Sequence, residues 1–144
     1  MRLISEDFED NGEIPSEFTC DGRDISPQLS WSDVPEGTKS FALSVADPDA
    51  PMGTFIHWLV YDIQKDTKNI PRGTLPPGAK QVENDWGKED WGGPCPPSGT
   101  HRYIFTLSAL DIEHIEGVNK NNFFNKVEEH TIEKAVLTGL YKRK

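Results

Sequence analysis

Apolar residues recur at every second position in several stretches of this chain, and that period of two is the mark of a half-buried strand. In Ser40–Asp47 the residues Phe41, Leu43, Val45 and Asp47 share one face. His101, Tyr103, Phe105 and Leu107 share a face of the run His101–Leu107, and Lys134–Tyr141 sets Ala135, Leu137, Gly139 and Tyr141 against Val136, Thr138 and Leu140. Gly139, with no side chain to pack, is the expected position of a bulge in that closing strand. Phe55–Tyr61 is apolar on both faces, which predicts a strand covered on both sides, with His57 in phase with Phe55, Leu59 and Tyr61. A shorter strand is expected at Leu29–Trp31 after the turn-rich Cys20–Asp24. Asn121–Glu129 carries Phe123, Phe124 and Val127 at the spacing of a short helix.

Four polar residues interrupt these apolar faces near strand ends: Asp47, His57, His101 and Tyr103. Two stiff loops, Asp47-Pro48-Asp49-Ala50-Pro51 and the Gly92–Thr100 segment, lie beside the strands concerned. Proline fixes φ and removes a backbone donor, while glycine lets the backbone come close to a ligand, so such loops suit the rim of a small pocket. From Thr67 to Gly99 the chain is crowded with Pro, Gly and Asn and has little periodicity. Trp86 and Trp91 predict that this stretch is an ordered functional loop.

With 144 residues the chain is long enough for one domain, spanning residues 1–144, with a substantial core. A net charge of −9 argues against nucleic-acid binding and against docking on an anionic membrane, since both need clustered Lys and Arg. The basic run Lys142-Arg143-Lys144 is read as a solvated tail. No apolar run reaches the ~18 residues of a membrane span, and Met1–Ser5 leads straight into acidic residues, unlike a secretory signal. Two cysteines cannot define a disulfide framework, and no Cys-x-x-Cys pair suggests a metal. A cytoplasmic setting without a cofactor is expected.

If the four polar residues meet, their chemistry suits a small anion such as phosphate. A carboxylate beside a histidine holds the imidazole's charge, a tyrosine hydroxyl adds a donor, and glycine-loop N–H groups add more. Asp49 is as well suited to capping its own loop as to touching a ligand. Arg102 points away from the face of His101, as a surface charge or as support for a loop carboxylate. Two enzyme readings use the same residues. Asp47, His57 and His101 resemble a two-histidine, one-carboxylate metal set, although no two of them form a local ligand pair. A hydrolase would take Cys95 or Ser98 as nucleophile, His101 as base and Asp47 to orient it, although neither candidate lies in a nucleophile-elbow pattern.

At these residues the chain resembles the phosphatidylethanolamine-binding protein family, which includes the Raf kinase inhibitor proteins and the plant flowering-time regulators. The resemblance rests on Asp47-Pro48-Asp49-Ala50-Pro51, His57-Trp58-Leu59-Val60 and Gly99-Thr100-His101-Arg102-Tyr103. It extends from Phe18-Thr19-Cys20-Asp21-Gly22 to Leu137-Thr138-Gly139-Leu140-Tyr141. Asn84-Asp85-Trp86-Gly87 and Gly92-Gly93-Pro94-Cys95-Pro96-Pro97 are similar to the bacterial and archaeal members. The resemblance implies a mostly β fold, a Greek-key antiparallel β-sandwich with a short helix in the C-terminal region. It implies a pocket for phosphate or a phospholipid head group at Asp47, Pro51, His57, His101 and Tyr103, with backbone from Gly92 or Gly93. It also implies action by binding, with a kinase or protease as the kind of protein partner, and it brings Cys20 and Cys95 to the same end of the sandwich. In a cytosolic setting these two are expected to stay free thiols. The chain departs from animal members in having Ile56-His57 in place of paired histidines and Phe55 in place of a pocket tryptophan, which predicts a differently shaped pocket. It also ends at Lys144 without their C-terminal helical extension, so kinase inhibition does not carry over with the rest.

Overall fold

Alternating apolar residues commit the long central and closing segments of this chain to strands, and the computed structural model, which describes residues 1–144, arranges the strands in two packed sheets. In chain order the strands are β1 (Arg2–Ile4), β2 (Gly12–Glu13), β3 (Leu29–Ser32), β4 (Ser40–Asp47), β5 (Phe55–Gln64), β6 (Asn69–Ile70), β7 (Lys80–Val82), β8 (His101–Leu110) and β9 (Thr131–Tyr141). One helix, α1 (Phe123–His130), joins β8 to β9, and a 3-10 turn covers Ser16–Phe18. The smaller sheet has the order β1-β3-β6 and the larger β2-β9-β8-β4-β5-β7. Within the larger sheet, β4, β5, β7 and β8 lie in the spatial order β8-β4-β5-β7, each antiparallel to its neighbour. That order defines a Greek key.

The alternation decides what each face covers. Phe41, Leu43 and Val45 of β4, Phe105 and Leu107 of β8, and Leu137 of β9 pack against Leu3, Leu29, Trp31 and Ile70 of the small sheet. Full burial of a side chain of this size stabilises the fold by about 1.5–3 kcal/mol. On the opposite face Ala42, Leu59 and Val82 are covered by Ile115 and by Phe123 and Val127, which stand one helical turn apart on α1. Phe124 points off this face and is half exposed. No helix is long and apolar enough to cross a membrane.

Three expectations need correction. Gly139 forms no bulge: Arg102↔Leu140, Tyr103↔Gly139 and Ile104↔Thr138 pair in unbroken register. A Cβ there would stand 2.5 Å from Ile14 and 2.9 Å from Phe8, so glycine is required by packing. It also faces Gly12 of β2, which runs parallel to β9, so the sheet is not antiparallel throughout.

The second correction is the phase of β5. Val45 pairs with Trp58 but Ala46 pairs with Ile56, which leaves His57 as the extra residue of a β-bulge. Trp58 and Val60 therefore face the core between the sheets while Leu59 and Tyr61 face the helix side, and His57 is not in phase with the latter pair. A second irregularity lies between Phe41 and Leu43, opposite Asp62, whose φ is 55°.

The third concerns the cysteines. Cys20 and Cys95 do lie at the same end of the sandwich, but as a disulfide with Cα atoms 5.4 Å apart, not as free thiols. The backbone bond from Cys20 N–H to the Pro94 carbonyl (3.1 Å) sets the two segments side by side.

Candidate functional site

The bulge at His57 and the ends of β4 and β8 meet at one end of the larger sheet. Asp47, Ala50, Phe55, His57, Trp86, Cys95 and Tyr103 line a cavity of about 200 Å³ there. Three of the four interrupting polar residues thus share one cavity. The fourth, His101, sits behind it: its Nδ1 donates to Asp47 Oδ2 at 2.7 Å, and both side chains are buried. The other carboxylate oxygen of Asp47 accepts the Asp49 N–H at 2.8 Å, fixing the turn of the Asp-Pro-Asp loop.

Arg102, next to His101 but on the opposite face of β8, holds that loop from outside. Its Nε and Nη2 donate to Asp49 at 2.9 and 2.8 Å, and its backbone N–H adds a bond at 3.0 Å. The guanidinium and its hydrogen bonds hold the Asp49 carboxyl down at about 2. Of the two roles open to Arg102, support for a loop carboxylate is the observed one. Asp49 is bound to this arginine outside the cavity. Pro51 is exposed and is not among the lining residues.

His57 is oriented by the glycine loop. A carbonyl can only accept, so the 2.7 Å contact between His57 Nδ1 and Gly92 O places a proton on Nδ1. Burial lowers the pKa of His57, outweighing the Gly92 carbonyl and the charge of Asp47. The neutral ring then carries a lone pair on Nε2, and Nε2 has no protein partner. The ring stands edge-on to Tyr103 and to Trp86, with centroids 5.1 Å away in each case. Trp86 also packs on Phe55 at 4.6 Å. The Tyr103 hydroxyl is buried without a hydrogen-bond partner, and burial raises its pKa.

The glycines themselves are committed elsewhere. Gly92 N–H donates to the His57 carbonyl (3.1 Å) and Gly93 N–H to Asp24 Oδ1 (2.8 Å), so neither amide points at a ligand. A Cβ on Gly92 would meet Trp86 at 2.4 Å, and one on Gly93 would meet Asp24 and the Phe18 carbonyl at 2.3 Å. Both are glycines because other groups press on them.

Sequence reasoning did not place Trp86, Asn84 and Asp24 at this end. Asn84 is buried and builds the turn that presents Trp86: its Oδ1 accepts the N–H groups of Trp86 (2.9 Å) and Lys88 (3.2 Å), and its Nδ2 donates to the Asp90 carbonyl (3.0 Å). The available signal was the Asn84-Asp85-Trp86-Gly87 turn itself, in which Gly87 has a φ of 76° that favours glycine. Of the enzyme alternatives, the disulfide leaves Cys95 without a thiol. Asp47, His57 and His101 are not among any group of three side chains placed to hold a metal.

A two-layer Greek-key sandwich with a polar and aromatic cavity at one strand end is the class that fold and site define. The model of the phosphatidylethanolamine-binding protein family matches residues 4–142, and the chain belongs to that family. It is 45% identical to a UPF0098 protein of Aquifex aeolicus, over 99% of this chain and 89% of that one. It is 41% identical to the UPF0098 protein YbhB of Escherichia coli, over 98% and 99%. Among crystal structures, E. coli YbcL superposes with a TM-score of 0.93 at 34% identity, covering 99% of this chain and 98% of that one. A phosphatidylethanolamine-binding protein homologue of Chlamydia trachomatis, CT736, gives 0.92 at 36%, covering 99% and 97%.

Proposed function

We propose that the cavity binds a small phosphoryl-bearing ligand and that the protein works as a binding module. The observation that carries this reading is the Tyr103 hydroxyl, buried at the cavity without a partner. Such a group costs about 1–3 kcal/mol when left unsatisfied, and a ligand oxygen would offset that cost. The neutral His57 Nε2 and the Asp47 carboxylate supply acceptors beside it, while Phe55 and Trp86 supply apolar walls. The volume, about 200 Å³, suits a head group and not an acyl chain.

Phosphoethanolamine, which combines a phosphate with a small ammonium tail, is the probe of choice. Added at a hundredfold excess over Kd, it stabilises the native state by about 2.7 kcal/mol. Thermal unfolding of wild type and Tyr103→Phe with and without the ligand tests the reading, because the substitution removes only an unpartnered hydroxyl and leaves the fold intact. A shift in wild type that shrinks markedly in the variant supports it. Equal shifts, or none in either protein, overturn it.

A further inference from the structure

We infer that the cavity selects phosphoryl groups in their protonated, monoanionic form, so that it takes phosphomonoesters and inorganic phosphate in preference to phosphodiesters. This rests on the phosphoryl-binding reading above and narrows it by chemistry. The cavity offers one buried donor without a partner, the Tyr103 hydroxyl. It offers two acceptors, the Nε2 lone pair of His57, left over because Nδ1–H is bound to Gly92, and the Asp47 carboxylate. A fully deprotonated phosphoryl group has only acceptors to present. It can satisfy Tyr103, but it sets its own lone pairs against His57 Nε2 and against a buried carboxylate, and like charges in a low-dielectric site repel strongly. A P–OH removes that conflict by donating to His57 Nε2, since both Asp47 oxygens already accept from protein groups, while another oxygen accepts from Tyr103.

His57 faces Asp47 from β4 and Tyr103 from β8, and it feels the negative charges of Asp24 and Asp85 from the flanking loops. Outside the cavity, His101 is bound to Asp47 through Nδ1, and Arg102 is bound to Asp49. Protonating His57 would supply a further buried donor, and the nearby carboxylates favour that charge, but burial opposes it and outweighs them. The proton is therefore carried in by the ligand.

A phosphodiester has no such proton. A phosphomonoester keeps one until its second pKa of about 6, and methylphosphonate keeps one to a higher pH. Isothermal titration between about pH 5 and 8 separates the possibilities, with phosphoethanolamine, inorganic phosphate, methylphosphonate, glycerophosphoethanolamine and sulfate as probes. Above its own second pKa each protonatable ligand should weaken by about tenfold per pH unit, with the midpoint moving from ligand to ligand. Glycerophosphoethanolamine, the diester source of the same head group, and sulfate should bind at least tenfold more weakly than phosphoethanolamine at pH 5. A diester that binds as tightly as the monoester overturns the inference and leaves the phosphoryl reading standing. So does one midpoint shared by all ligands, which would put the proton on a protein group such as His101. If none of the probes binds at any pH, the phosphoryl reading falls and the inference falls with it.

Discussion

His101 Nδ1 and Asp47 Oδ2 meet at 2.7 Å in a setting where neither side chain has appreciable contact with solvent. A buried carboxylate that loses its partner is left with an uncompensated charge, which costs about 3–5 kcal/mol. His101→Ala should therefore lower stability by an amount in that range in urea unfolding. Asp47→Asn combined with His101→Ala should cost less than the sum of the two single changes, because the coupling energy is counted once. Additive losses would show that the contact contributes little.

The Cys20–Cys95 disulfide closes a loop with a sequence separation of 75 residues. Constraining an unfolded chain over that length stabilises the native state by about 2–4 kcal/mol. Reduction, or the double change Cys20→Ser and Cys95→Ser, should lower Tm by on the order of 10 °C. Because Cys95 lines the cavity and the same loop carries the Gly92 carbonyl that orients His57, the reduced protein should also bind phosphoethanolamine more weakly. An unchanged Tm would mean that the noncovalent contacts of this end hold the loop by themselves.

Asp49 supplies a pH-dependent contact with a definite sign. Its carboxyl titrates at about 2 in the folded state against an ordinary value of 3.8, owing first to the Arg102 hydrogen bonds. A lowered folded-state pKa contributes stability that is present above about pH 4 and is lost as the pH falls toward 2. The pair is solvent-exposed, so its share of total stability is small. Carboxyl NMR titration should find the Asp49 midpoint near 2 in wild type, rising toward the ordinary value in Arg102→Ala. The same midpoint in both proteins would remove Arg102 as the cause.

Much of this end of the molecule was legible in the chain, because polar residues that interrupt an apolar strand face must have a reason to be there. Asp47, His57 and Tyr103 stand out that way, and the alternation of Ser40–Asp47 and His101–Leu107 indicates which ends they occupy. Two features hid from the same reasoning. The bulge at His57 inserts a residue without changing the composition of β5, so a period-two count runs straight through it and assigns the wrong partners. The short strands β1, β2, β6 and β7 have too few residues to show a period at all, and they exist because a longer neighbour offers them a hydrogen-bonding edge. The glycine loop misled in another way. Glycine marks close approach, but it does not say to what, and here the approaching groups are Trp86, Asp24 and the Phe18 carbonyl in place of a ligand.

Imidazole nitrogen NMR of the labelled protein reports whether Tyr103 and the Nε2 of His57 meet the ligand together. Without ligand, His57 should show a protonated Nδ1 and an unprotonated Nε2, as its bond to the Gly92 carbonyl requires. On addition of phosphoethanolamine near pH 5, the His57 Nε2 resonance should move to the position of a hydrogen-bonded acceptor, and the movement should be much reduced in Tyr103→Phe. A His57 Nε2 signal unmoved by saturating ligand would show that the ring does not contact it and that the cavity does not bind phosphoryl groups in this way.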